Sequence, residues 1–184
     1  MEVSGQRSYS QRSPGASWAV VLDAANLQDV PALVLEVDDP RRDDISGLLQ
    51  AHLDLVRGES PPEDVHALDL TGLLHPGITF VSARRSGALL GVGALRELDP
   101  AHGELKSMHT AREARGQGVG RAVLNHLLGV AQSRGYDRVS LETGTTAGFA
   151  AARAMYARAG FEPCVPFGKY GVSPYSLCMT TALG

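Results

Sequence analysis

The chain has 184 residues, 43% of them hydrophobic and 20% charged, with a formal net charge of −3. A chain of this length buries about two thirds of its unfolded surface, so its core needs neither a disulfide framework nor a metal. The balance of charge and the lack of a clustered basic face argue against nucleic-acid binding, and no apolar run approaches the roughly 18 residues of a membrane span.

Residues 1–31 read as a flexible N-terminal extension, with Gly5, Pro14, Gly15 and many serines but no sustained period. A short helix fits residues 23–30. The apolar piece from Trp18 to Leu22 is too short for a signal-peptide core, so a cytoplasmic location is expected. The folded domain is expected over 32–184. Residues 32–37, ALVLEV, have strand composition. Asp43 or Asp44 is expected to cap a helix running to Arg57, with Ile45, Leu48, Leu49, His52 and Val56 on one face. A second helix is expected over 63–74, with a break near Thr71-Gly72. Residues 78–83, 89–98 and 104–110 then read as three antiparallel strands, because their connections are short.

The pattern changes at Gly118. Val119, Val123, Leu124, Leu127, Leu128 and Ala131 give one apolar stripe over 118–134, and Gly135 ends the helix. Residues 138–142 read as a strand, 149–159 as an alanine-rich helix, and 161–165 and 176–181 as two final strands. The expected order is β-α-α-β-β-β-α-β-α-β-β, an α/β (α+β) arrangement with a mixed central sheet of about seven strands and flanking helices. Cys164 and Cys178 fall on what read as adjacent strands and are expected to be reduced packing residues. Without Cys-x-x-Cys or His-Glu-x-x-His, no metal site is expected. Arg41-Arg42 and Arg84-Arg85 read as solvated surface pairs.

The sharpest local signal is Arg115-Gly116-Gln117-Gly118-Val119-Gly120-Arg121, between a strand and a long helix. The first amides of a helix lack internal partners and sit at the positive end of its dipole. Glycines let that backbone approach a phosphate closely. A Walker-type loop would need Gly-Lys-Ser/Thr, whereas Arg121-Ala122 follows Gly120. A dinucleotide fingerprint would need a third glycine where Val123 stands, although Glu142 lies at about the right distance. A third reading is the Arg/Gln-x-x-Gly-x-Gly turn of acetyl-coenzyme A enzymes, met by Arg115, Gly118 and Gly120, and the ordinary alternative is a helix start that happens to be glycine-rich.

With that turn, the preceding strand ELKSMHT, the segment ARAMYARAGF and the closing strand pair, the chain from residue 32 onward resembles the GNAT superfamily of N-acetyltransferases. SPPEDVHALD, SLETG and CMT resemble more narrowly its YsnE-like branch. The resemblance implies the GNAT fold and acetyl-coenzyme A as acetyl donor. It implies that Met108, His109 and Thr110 line the pantetheine arm. The amides of Gly116, Gln117, Gly118, Val119, Gly120 and Arg121 would hold the pyrophosphate, with Arg115 at the edge. Phe149 stands where many members carry Asn, seven residues before the final-helix tyrosine.

Acetyl transfer to an amine requires a proton acceptor, stabilisation of the thioester oxygen, and a proton for the departing thiolate. Glu104 is the first candidate base, with Glu142 and His109 as alternatives and a solvated strand-end residue as its ordinary reading. Tyr156, four residues before Gly160, matches the family tyrosine and is the candidate acid. His52 and His66 are expected toward the acceptor pocket, although a surface-edge packing role suits His52 better. Phe167, Lys169 and Tyr170 are expected to close that pocket, and Lys169 would suit an acceptor with a carboxylate. The expected reaction is direct transfer to a small-molecule amine in a ternary complex. A homodimer is compatible with this reading. The competing readings are a coenzyme A-binding sensor without turnover and a dinucleotide-binding domain.

Overall fold

The computed structural model describes residues 31–62 and 66–184. The expected extension and the helix at 23–30 lie outside the described residues, apart from Pro31. Seven strands form one sheet: β1 (Val34–Val37), β2 (Ile78–Arg85), β3 (Ala88–Asp99), β4 (His102–Thr110), β5 (Arg138–Gly144), β6 (Glu162–Pro163) and β7 (Ser176–Ala182). Their spatial order is β1-β2-β3-β4-β5-β7-β6. All neighbours are antiparallel except β4 and β5, which run parallel with α3 between them in sequence. Parallel neighbours need such a crossover, whereas the meander β2-β3-β4 needs only tight turns.

The helices are α1 (Asp43–Glu59), α2 (Leu70–Leu73), α3 (Val119–Ser133) and α4 (Ala150–Arg158). They cover opposite faces of the sheet. On one face, the stripe Val119, Val123, Leu124, Leu127 and Ala131 of α3 packs with Val81, Leu95, Leu105 and Val139. On the other, Ile45 and Leu49 of α1 and Leu73 of α2 pack on Phe80, Val92 and Ala94. Period-two alternation thus gives each central strand two buried faces.

Several expectations needed correction. The second helix is a single turn, capped by the Asp69 side chain accepting from the Gly72 N–H at 2.8 Å; positions 63–65 of the expected helix lie outside the described residues. The strand expected over 161–165 shrinks to two residues, because β6 pairs with β7 only at Glu162 and Pro163. The N-cap of α1 is Arg42, not an aspartate. Asp44 instead meets Arg84 at 2.6 Å, and Asp38 meets the same guanidinium at 3.1 Å. Arg84 is therefore no solvated surface residue: at 8% exposure it ties α1 and the end of β1 to β2.

Candidate active site

The site begins as a fork in the sheet. Strands β4 and β5 pair from His102 with Arg138 to Leu105 with Leu141, and then part. The cause lies on the other edge of β4. Ala94 pairs with Lys106 and Val92 with His109, so Ser107 and Met108 together face the single residue Gly93. Ser107 adopts φ 51°, a left-handed conformation unusual for a residue with a Cβ. Such a bulge bends its strand and leaves backbone groups unpaired. Gly93 makes the bend fit: a Cβ there would lie 2.5 Å from Met108 Sδ and 2.7 Å from Val123 Cγ1.

The fork leaves a cleft between the strands. Ser107 and Met108 line one side, Glu142 and Gly144 the other, with Tyr156 of α4 and His52 of α1 also on its walls. The Ser107 hydroxyl is buried with no hydrogen-bond partner. The ring of Phe149 packs on Gly144, where any Cβ would clash with it. Phe149, at the position where many members of the resembled family carry Asn, is thus an apolar wall of the cleft.

Beyond β4 the chain reaches the glycine-rich turn. Gly116 and Gly118 have φ 76° and 81°, and nothing lies within 4 Å of where their Cβ atoms would be. The turn therefore presents bare backbone outward. The first helical bond of α3 runs from the Ala122 N–H to the Gly118 carbonyl at 3.0 Å. Among the described residues, the amides from Gly118 to Arg121 have no backbone acceptor. Gly120 packs against Thr110: a Cβ there would lie 3.2 Å from Thr110 Oγ1, which docks the helix start on the end of β4. Arg115 Nε donates to the Thr110 carbonyl at 3.4 Å. Gln117 is held from both sides, accepting from Arg85 and donating to the Glu113 carbonyl.

Glu104 is 1% exposed, so the solvated strand-end reading does not hold. The Tyr170 hydroxyl donates to its Oε1. Lys106 Nζ lies 3.6 Å from the same oxygen and donates to the Tyr170 hydroxyl at 2.7 Å and to the His66 carbonyl at 3.0 Å. Arg96 approaches Oε2 at 3.5 Å. Burial lowers the pKa of Lys106, and Glu104 and Glu142 oppose that shift. Burial and the adjoining Glu104 carboxylate raise the pKa of Tyr170, which keeps its proton.

His52 and His109 meet edge to face, 5.4 Å apart, between α1 and β4. Burial lowers both to about 4, so both are neutral at pH 7. The surface-edge reading of His52 is corrected: its Nδ1 is buried without a partner, and its ring lines the cleft. Burial also raises the Tyr156 pKa, so its phenol is protonated at neutral pH. Cys164 and Cys178 are free, and burial raises the Cys178 thiol to about 11.

The cleft brings Met108, Tyr156 and Glu142 together; Glu104 lies on the far side of Lys106, and His109 turns to His52. Sequence reasoning missed Lys106. Its signal was available: residues two apart on a strand share a face, and Glu104 with Lys106 makes an oppositely charged pair within a buried run.

Comparison with known proteins agrees with this geometry. Residues 45–161 match the acetyltransferase (GNAT) family. The chain is 45% identical over 149 residues to the N-acetyltransferase YsnE of Bacillus subtilis (strain 168), covering 81% of this chain and 99% of that protein. It is 42% identical over 149 residues to the N-acetyltransferase YedL of Escherichia coli (strain K12), covering 81% and 94%. A putative acyl-CoA N-acyltransferase from Klebsiella pneumoniae superposes with a TM-score of 0.68 at 25% identity, over 83% of this chain and 98% of that one. Similarity at that level, over nearly the full length of the relatives, makes this chain an acyltransferase that belongs to the GNAT family of acetyltransferases.

Proposed function

We propose that the enzyme is an acetyl-coenzyme A-dependent N-acetyltransferase acting on a small amine by direct transfer in a ternary complex. One observation carries this reading: the unpaired edge of β4 beyond Leu105 leads straight to the unpartnered amides at the start of α3. An extended amide-bearing arm fits the first as an added strand, and a pyrophosphate fits the second.

Bound acetyl-coenzyme A supplies an acetyl thioester. Met108 and Thr110 hold the arm through their main chains, beside His109. The amides of Gly116, Gln117, Gly118, Val119, Gly120 and Arg121 hold the pyrophosphate, with Arg115 adding charge. The Met108 amide polarises the thioester carbonyl. Tyr156, on the cleft wall, keeps the hydroxyl proton that the departing thiolate takes. Glu104 is the proton sink: Tyr170 passes its hydroxyl proton to Oε1 while taking one from the amine or from a water on it. The protonated thiol of Cys178 argues against an acyl-cysteine route. A second reading has Glu142 accept the proton directly, since it lines the cleft and Glu104 does not.

The test is thermal stability with acetyl-coenzyme A, NADH or ATP, on the wild type and Gly118→Glu, followed by thiol release with an amine panel. A ligand at 100 times its Kd stabilises by about 2.7 kcal/mol. The expected result is a rise in Tm with acetyl-coenzyme A alone, absent in the variant, and amine-dependent thiol release. No rise with acetyl-coenzyme A refutes the reading, and a rise without amine-dependent release leaves a sensor. Thiol release in Glu104→Gln and Glu142→Gln separates the two proton acceptors.

A further inference from the structure

A second cavity, of about 520 Å3, lies on the Glu104 side of the Lys106–Tyr170 hydrogen bond. Lys106 lines the cleft, whereas Glu104 and Tyr170 line this cavity, so the Lys106–Tyr170–Glu104 triplet stands between the two. One wall is aromatic: Phe167 and Tyr170 meet edge to face with centroids 5.1 Å apart. Three cations line it, Arg96, Arg138 and Lys169, against two carboxylates, Asp99 and Glu104. His102, also on its wall, donates or accepts at Ser140 Oγ at 2.7 Å, and burial and Arg138 hold its pKa below the usual value. One positive charge is therefore left over. Arg96 is engaged by Glu104, whereas Arg138 and Lys169 form no ion pair among the described residues. A concave, partly apolar wall raises the effect of such charges on an incoming ligand.

We propose that this cavity is the anion subsite of the acceptor, and that the acceptor is an amine bearing a carboxylate held by Arg138 and Lys169. The proposal rests on the acetyl-transfer reading above. Arg96 stands opposite Glu104 and Arg138 opposite His102, three and five residues before the bulge at Ser107, so the subsite lies along β4 away from the bulge. The acceptor's nitrogen and carboxylate are accordingly separated by a chain, with the apolar part of that chain against Phe167.

The test compares 6-aminohexanoate, its uncharged amide and glycine as acceptors, using the wild type and R138Q/K169Q. Neither position lies in the core, and both replacements keep polarity, so the variant is expected to fold; its circular dichroism and melting curve check this. The expected wild-type result is a KM at least about tenfold lower for 6-aminohexanoate than for its amide, with glycine poorer than both. In the variant the acid-over-amide ratio should fall to about one. Equal KM values for acid and amide in the wild type, or a preference that survives in the variant, overturns the proposal. Titration of 6-aminohexanoate and its amide by NMR, without acetyl-coenzyme A, reads the subsite independently of turnover. Acid-selective binding lost in the variant supports the subsite even if acetyl transfer fails. Absence of acid-selective binding overturns it even if acetyl transfer holds.

Discussion

Glu104 and Lys106 form a buried pair whose partners come from three directions: Arg96 on β3, Tyr170 from the loop before β7, and the His66 carbonyl. Removing one member of such a pair leaves the other charge without compensation, at a cost of roughly 3–5 kcal/mol. Glu104→Gln should lower the urea midpoint accordingly, and adding Lys106→Met should restore more than half of the loss. An unchanged midpoint in the single variant would show that the pair is not coupled. Tyr156 differs in kind. Its ring packs 5.8 Å from Phe161, and its hydroxyl makes no hydrogen bond among the described residues. Tyr156→Phe should therefore leave stability within about 0.5 kcal/mol, while general-acid loss lowers kcat by about 100-fold. Wild-type kcat in that variant would remove Tyr156 from the chemistry.

At the scale of elements, the cleft depends on the fit between the β4 bulge and α3. Gly93 is the contact point, since Met108 Sδ, Val123 Cγ1 and Leu127 Cδ1 all lie within 3.1 Å of where its Cβ would be. Overpacking of this kind costs roughly 1–3 kcal/mol. Gly93→Ala should lower Tm and also displace Met108, so the thermal shift from acetyl-coenzyme A should shrink beyond what the lost stability explains. A variant with normal acetyl-coenzyme A response would mean that the bulge does not shape the arm's binding edge. The α3 turn is more self-contained: Gly118 holds φ 81° and its Cβ would meet nothing, so its requirement is conformational rather than steric.

For the molecule as a whole, pH dependence follows from His52 and His109. Each has a folded pKa of about 4 against 6.5 for the free side chain. Both are thus depressed, so the unfolded chain binds more protons between these values. Stability should be level above pH 6.5 and fall as pH drops from 6.5 toward 4. The loss is at most about 3 kcal/mol for either histidine alone. Urea midpoints between pH 4.5 and 7.5 would measure it, and His52→Phe should reduce the slope. An unchanged midpoint over that range in the wild type would contradict the burial of the pair. Among the described residues no helix is long and apolar enough to cross a membrane.

Features governed by neighbours in sequence were readable directly. The stripe of α3, its glycine-rich start and the β2-β3-β4 meander each follow from residues a few positions apart, where periodicity and turn chemistry act. The family likeness added the mixed character of the sheet and the place of Tyr156. What the sequence could not reveal depends on partners far along the chain. Tyr170 and Glu104 are 66 residues apart, and Arg84 and Asp38 are 46 apart. Only packing decided that Arg84, Glu104 and Lys106 are buried, that His52 lines the cleft, and that Arg138 and Lys169 share a cavity. A charged side chain looks the same in sequence whether water or a counter-ion satisfies it, and the choice is made by which elements the fold lays against it.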